Sequence, residues 1–523
     1  MKTPAIMVLG TGSHVGKSLL TAALCRLFRQ SGYRVAPFKS QNMSLNSAAT
    51  MEGLEIGRAQ ALQAQAAGLL PSVHMNPILI KPSGDASSQI VVRGKIWKNL
   101  SASDYHLRRV EQLMPIVEES YRILASEYEL VILEGAGSPA EINLKKHDIA
   151  NMRMAELADA KCILVGDIDR GGVFASLLGT LELLDQNERA RIRGFVINKF
   201  RGDLDLLLPG IEQIEQRIDK PCLGVVTYLH DLALDEEDSV ALDARKLPAW
   251  TRDTSPARPL RIAVIAVPSL ANFTDFDPLM REASVFLKLC RAPDDLTLAD
   301  IVILPGSKKT VQDLQWLRAK GFDEALLRHT KNGGLTVGIC GGLQMLGQEI
   351  CDPDGIEAAG SASGLGLLPV RTRMRPEKIT VNASGRMLAP QLFGQAVNSK
   401  RVQGYEIHVG ETNYLDNSQP FAILDRETEA GCNVHDGCVS EDQRTFGTYL
   451  HSLFDDDGFR HAFLEAARAQ LHLAPADNLS FQSARKQQDI DRLAEAVGHA
   501  LDMKSIFNWV RFTYNEALEN KTS

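Results

Sequence analysis

The sequence predicts an α/β protein of two domains, each built on a mainly parallel sheet, followed by a helical C-terminal extension. Three observations point there. Short apolar runs alternate with helical stretches over the first ~240 residues. The alternation breaks at a Pro-containing segment and restarts near residue 260. From Asp457 onward the periodicity is helical only. The expected division is therefore a first domain over 1–242, a linker over 243–259, a second domain over 260–456 and the extension over 457–523.

In the first domain Ala5–Leu9, Leu130–Leu133, Cys162–Val165, Gly194–Ile197 and Leu223–Val226 read as buried strands. They are short, rich in Val, Ile and Leu, and closed by Gly, Asp, Glu or Asn. Lys17–Gln30 and Arg109–Ala125 carry helical periodicity between them, and Gly32 stands where the first helix needs a left-handed cap. Strands alternating with helices argue for a parallel sheet covered on both faces. The segment 243–259 holds Pro248, Pro256 and Pro259 without a sustained apolar period, as a linker would. Beyond it Arg261–Val267, Ile301–Leu304 and Leu335–Ile339 read as strands, and Phe459–Leu471 and Ile490–Leu501 as helices.

Composition narrows the class. A chain of 523 residues exceeds one ordinary domain, and 44% hydrophobic with 23% charged residues is globular usage. With 57 basic and 65 acidic residues the net charge of −8 argues against a nucleic-acid or membrane-surface binder. No apolar run reaches the ~20 residues that span a bilayer, and the first residues lead into a Gly-rich loop instead of a cleavage site. The eight cysteines are scattered, with no Cys-x-x-Cys pair, so reduced thiols, a cytoplasmic location and no zinc site are expected.

Gly10-Thr11-Gly12-Ser13-His14-Val15-Gly16-Lys17-Ser18 follows a strand and opens a helix, the setting of a phosphate loop. Glycines such as Gly10, Gly12 and Gly16 let backbone N–H groups turn toward phosphate oxygens, and the helix N-terminus adds partial positive charge. Lys17 is placed for the β- and γ-phosphates and the Ser18 hydroxyl for Mg²⁺. Thr11 occupies the place of the usual first Gly, so the loop counted from Gly10 is one residue longer than the common pattern. Glu134 ends the strand Leu130–Leu133, where a carboxylate can hold Mg²⁺, with a solvent-facing strand end as the alternative. Asp167, Asp169 and Arg170 end another strand, as metal or phosphate ligands or as a turn cap. Asn198 ends a third, where it can read an adenine edge or close a plain turn. Lys39 ends the second strand at the same carboxyl edge, where a second ammonium would stabilise a transferring phosphoryl group.

A second site centres on Gly338-Ile339-Cys340-Gly341-Gly342, a Gly-x-Cys-x-Gly turn between an apolar strand and an apolar helix. Such an elbow exposes a nucleophile above a sheet. The helix N-terminus favours the thiolate, and neighbouring amides can hold an oxyanion. The nucleophile needs a base. Among twelve histidines, His451 after a β-like run and His408 in Gly404-Tyr405-Glu406-Ile407-His408 stand out. The turn Leu304-Pro305-Gly306-Ser307-Lys308 can supply an oxyanion amide.

Taken together, these segments resemble a dethiobiotin-synthetase-like P-loop NTPase domain followed by a class I glutamine amidotransferase domain of flavodoxin-like fold. The pairing is most similar to the cobyric acid synthases of cobalamin biosynthesis. Lys39–Ser47, Glu134–Leu144 and Gly404–Gly410 are its most specific segments. The resemblance implies ATP, Mg²⁺ and glutamine as reactants, a corrinoid as the small-molecule substrate, and no nucleic-acid or membrane partner. It implies amidation of the b, d, e and g carboxylates of adenosylcobyrinic acid a,c-diamide through acyl phosphates. Cys340 is then the glutaminase nucleophile and His451 its base. Many class I amidotransferases carry an orienting Glu two residues after that His; here the position is Leu453. A Cys–His dyad, or a third group from elsewhere in the chain, is expected, and the sequence does not name it. The alternatives are a cobyrinic acid a,c-diamide synthase, or a P-loop switch ATPase with a non-catalytic second domain.

Overall fold

The computed structural model describes residues 3–82, 87–101, 105, 110–230, 232, 234, 250, 252–357, 360–427, 433–477 and 479–510. The chain forms two compact units, neither a continuous stretch of sequence. The first comprises Met1–Ser44, Glu55–Glu237 and Lys486–Ser523; the second comprises Leu45–Leu54 and Asp238–Arg485. Of the expected linker, 243–249 and 251 lie outside the described residues, as does Cys432, and 252–259 holds no helix or strand.

The first unit has a six-stranded parallel sheet of β1 (Ala5–Gly10), β2 (Val35–Phe38), β3 (Leu130–Glu134), β4 (Lys161–Asp167), β5 (Ile192–Phe200) and β6 (Cys222–Thr227), in the order β6-β5-β4-β1-β3-β2. β1, β3 and β4 are buried almost throughout, which is why they read as unbroken apolar runs. The order reverses around β1, and ligands of open α/β sheets bind at that reversal, beyond the carboxyl ends of the strands. Helix α1 (Lys17–Gln30) leaves that edge of β1 and buries Leu20, Leu24 and Phe28. A smaller four-stranded sheet, absent from the sequence reading, joins Gln41–Met43, Ile78–Pro82, Ser87–Val92 and Lys95–Ser101.

The expected C-terminal extension does not behave as one body. Helix Asp457–Gln470 belongs to the second unit, whereas residues from Lys486 onward belong to the first. The cause is apolar burial. Ile490, Leu493, Val497 and Leu501 recur at helical spacing and join the core formed by Leu24, Phe28, Val35 and Leu223. Arg26 fixes the helix further through a bidentate pair with Asp491, at 2.7 and 3.1 Å.

The second unit holds β7 (Leu260–Ile265), β8 (Val285–Cys290), β9 (Ile301–Leu304), β10 (Leu335–Ile339), β11 (Val370–Met387), β12 (Arg401–Tyr414), β13 (Cys438–Val439), β14 (Thr445–Thr448) and β15 (Leu450–His451). One sheet runs β8-β7-β9-β10-β14-β13, parallel except at β13. A second sheet is built on the long antiparallel pair β11–β12, and β15 pairs with β12 so that His451 faces Tyr405. The chain thus steps from one sheet to the other between Thr448 and Leu450, which sets His451 beside the carboxyl edge of β10.

Candidate active sites

In the first unit β1 delivers its chain into the phosphate loop at the sheet's carboxyl edge. Gly16 has φ of +99°, and a Cβ there would lie 2.1 Å from Asn198 Nδ2, so only glycine fits. A Cβ on Gly10 would meet Val15 at 2.6 Å, while one on Gly12 would meet nothing within 4 Å. Gly12 therefore borders open space, as a phosphate cradle requires. Lys17 Nζ donates to Gly12 O at 2.7 Å and to Gly137 O at 3.0 Å, spanning this loop and the one after β3.

Glu134 is buried and gathers three partners. Its Oε1 accepts from Ser18 Oγ at 2.8 Å and from Lys39 Nζ at 2.9 Å, and its Oε2 accepts from Gln63 Nε2 at 2.6 Å. The solvent-facing alternative for Glu134 does not hold, because it is buried, and Lys39 is buried beside it. Ser18 Oγ and Glu134 Oε1 form an adjacent pair of hard oxygen donors. Among the described residues, no cluster of three or more His, Cys, Asp or Glu forms a metal cage. The Ser18–Glu134 pair fits Mg²⁺, which binds through one or two side-chain oxygens plus substrate phosphates.

Asn198 sits at the loop, but its Nδ2 is spent on Val15 O at 2.8 Å, so the amide nitrogen braces the phosphate loop. Asp167 Oδ1 accepts from Asp169 N, capping the turn, and Oδ2 pairs with Lys199 Nζ at 2.8 Å. Asp169 pairs with Arg201. Of the two readings of the Asp pair, the structure shows the turn cap, tied into ion pairs.

In the second unit Cys340 stands between β10 and the short helix Gly341–Leu346 with φ 52° and ψ −106°. That is a sparsely populated conformation for a non-glycine residue, and its N–H is held by Thr448 O at 2.8 Å. The flanking glycines serve space rather than dihedral freedom. A Cβ on Gly342 would lie 2.0 Å from Leu304 O, and one on Gly338 would lie 2.7 Å from the Gly342 carbonyl carbon. The Pro305-Gly306 turn lies against the site: a Cβ on Gly306 would be 3.0 Å from His451 Cε1, and one on Gly341 would be 2.9 Å from Ser307 N. The amide of Ser307 thus neighbours the elbow.

His451 is almost fully buried. Its Nδ1 lies 2.7 Å from Asp275 Oδ2, and Asp275 Oδ1 accepts from Ser452 N at 2.9 Å. Asp275 is the acid that no sequence signal named. Burial pushes the imidazolium pKa down. The Asp275 carboxylate and Cys340, which also hydrogen-bonds the ring, reverse this and hold His451 up at about 10. Cys340, His451 and Asp275 therefore form a connected line of thiol, imidazole and carboxylate. His408 stands apart from this line. It stacks on Tyr449 at 3.7 Å and contacts Glu406, whose other partner is Arg426. Burial opposes the charge on Glu406, but His408 and Arg426 hold its pKa down at about 2.

The CobQ/CobB/MinD/ParA nucleotide binding domain family matches residues 6–240, and the CobB/CobQ-like glutamine amidotransferase domain family matches residues 261–459. The cobyric acid synthase of Thermoanaerobacter sp. (strain X514) is 47% identical over 505 residues, covering 96% of this chain and 98% of that protein. This chain belongs to the cobyric acid synthase family. The family's member from Salmonella dublin is 48% identical over 511 residues, with 97% and 98% coverage. The member from Moorella thermoacetica is 47% identical over 500 residues, with 95% and 96% coverage. The chain is accordingly a glutamine amidotransferase ligase of cobalamin biosynthesis with a nucleotide-binding domain. No described helix is long and apolar enough to cross a membrane.

Within this synthase framework the structure adds residues that sequence reasoning passed over. Asp275 lies in Asn272-Phe273-Thr274-Asp275-Phe276, where the one available signal is an acid between two apolar rings. Gln63 belongs to an Ala- and Gln-rich helix, Arg58–Ala67, whose glutamines Gln60 and Gln63 are buried. Asn151 pins Ala136 through both amide atoms, at 2.8 and 3.1 Å, and so shapes the loop after Glu134.

Proposed function

We propose that the chain amidates the b, d, e and g carboxylates of adenosylcobyrinic acid a,c-diamide, using ATP for activation and glutamine as the nitrogen source. The observation that carries this reading is the Cys340–His451–Asp275 line at a strand-to-helix elbow, in a chain that also holds a phosphate loop. In the glutaminase step Cys340 sulfur attacks the glutamine side-chain carbonyl, forming a C–S bond while the carbonyl oxygen becomes an oxyanion. The amides at Gly341 and Ser307 suit that oxyanion. The His451 imidazolium gives its proton to the departing nitrogen, the C–N bond breaks and ammonia leaves. Water, losing a proton to His451, then cleaves the thioester to glutamate.

The carboxylate substrate cannot expel oxide. Its oxygen attacks the γ-phosphorus of ATP, ADP departs, and the acyl phosphate now carries a good leaving group. Ammonia displaces phosphate and the amide forms. Lys17 serves the β- and γ-phosphates, and Lys39 stands by the same edge through Glu134. Ser18 Oγ and the Glu134 carboxylate would hold Mg²⁺, which neutralises charge on the phosphates. The test is the mass of the corrinoid after incubation with ATP and glutamine. Each amidation exchanges a hydroxyl for an amino group, and product of unchanged mass defeats the reading.

A further inference from the structure

The segment Leu45–Leu54 lies in the second unit although the chain on either side of it belongs to the first. It is well packed there: Asn46, Ser47, Ala48, Ala49 and Thr50 are all buried. Two side-chain-to-backbone bonds tie it to the turn that carries Asp275. Asn46 Oδ1 accepts from Phe273 N and Asn272 Oδ1 accepts from Ser47 N, each at 3.1 Å. Asn272 has φ of +53°, and its carbonyl accepts from Asp275 N at 3.0 Å. Farther along, Ala49 packs with Tyr405 and Ile407. The Tyr405 ring stacks on His451 at 5.4 Å, and the Ile407 carbonyl lies 3.6 Å from Cys340 Sγ.

We propose that Asn46 is a positioning residue for the glutaminase site, holding through Phe273 the turn that aims Asp275 at His451. The inference rests on the function proposed above. It follows from the geometry of the turn. Asp275 is bonded to His451 and to Ser452, but its own place depends on residues 272–274, and segment 45–54 makes both of the crossed bonds to that stretch. Displacement of a catalytic contact by about 1 Å costs on the order of 100-fold in rate. Removing the acceptor on Asn46 frees the Phe273 amide and lets the turn shift.

The experiment compares Asn46→Ala and Asn272→Gly with wild type and Cys340→Ser in the full chain. Asn272→Gly keeps the left-handed backbone and removes the acceptor for Ser47. Glutamine hydrolysis and ammonium-driven amidation are both measured. The expected result is a kcat for glutamine hydrolysis lowered roughly 10- to 100-fold with KM for glutamine unchanged, and ammonium-driven amidation at the wild-type rate. Equal losses in both activities, or failure of both variants to fold, mean that the segment is only a structural staple, and the inference falls. If Asn46→Ala alone fails to fold, Asn272→Gly decides. Wild-type protein that releases no ammonia from glutamine overturns the function and this inference with it. Wild-type turnover beside variants of unaltered kcat overturns this inference alone.

Discussion

Asp275→Asn isolates the orienting acid while keeping its shape. The asparagine can still accept from Ser452 N, so the turn should persist. Toward His451 it presents an N–H, which forces the proton onto Nε2, the nitrogen that must serve the thiol and the leaving amine. The electrostatic part follows from the structure. His451 is raised from 6.5 to about 10 against the pull of burial. That rise is the balance of burial against Asp275 and Cys340 together, with the charge of Asp275 the largest of the raising causes. A loss of roughly 10³- to 10⁴-fold in kcat for glutamine hydrolysis is expected, with ammonium-driven amidation retained. The pH dependence supplies a second reading. A group raised on folding adds stability that is complete below its unfolded value near 6.5 and is lost as pH rises through about 10. Wild-type protein should therefore lose stability across that window, and the variant, which keeps only the part of the rise that Cys340 supplies, should lose less. Denaturant titrations at several pH values together with glutaminase kinetics make the test. Wild-type kcat in the variant, or the same alkaline loss of stability, refutes the role given to Asp275.

Cys340→Ser should abolish glutamine-dependent amidation by several orders of magnitude and leave ammonium-dependent amidation intact; parallel assays on the two nitrogen sources check this. Lys17→Ala should abolish amidation from either source without unfolding the chain, since both need the acyl phosphate, and full ammonium-driven activity would contradict the role of the phosphate loop. Glu134→Gln should raise the Mg²⁺ concentration needed for half-maximal amidation while glutaminase chemistry persists, read from Mg²⁺ titrations of both activities. Arg460, wholly buried with Glu282 at 2.7 Å, should be needed for folding. Arg460→Met leaves that buried carboxylate without its counter-charge, held only by the Ser480 amide and hydroxyl, and should cost about 3 kcal/mol in denaturant unfolding; a loss under about 1 kcal/mol means the site relaxes or hydrates.

The central strands were readable because burial on both faces leaves them as apolar runs, as in Leu130–Glu134 and Ile301–Leu304. The nucleophile and phosphate loop were readable because each chemistry is packed into a few consecutive residues. What escaped is what folding brings together from afar. Asp275 and His451 are 176 positions apart, so no window contains both. The Gly-x-Cys-x-Gly spacing does not tell which residue carries the unusual dihedral: it belongs to the cysteine, and the glycines answer to Leu304 and Leu343 packed against them. The C-terminal helix looked like an appendage because its apolar stripe names no partner. Only the fold shows that the partner is a core begun in the first residues of the chain.

That last pairing has a consequence for synthesis. The nucleotide-binding unit includes residues from both ends of the chain, so it cannot close while the ribosome is still making the second unit. Until Ile490, Leu493 and Val497 emerge, the surfaces of Leu24 and Phe28 that they share a core with are left uncovered. The second unit awaits only residue 485, so it is the first able to finish, although its gene segment comes later. Severing the gene near the linker would therefore give no pair of independent subunits. It would strand an open hydrophobic face on one fragment and its natural cover on the other.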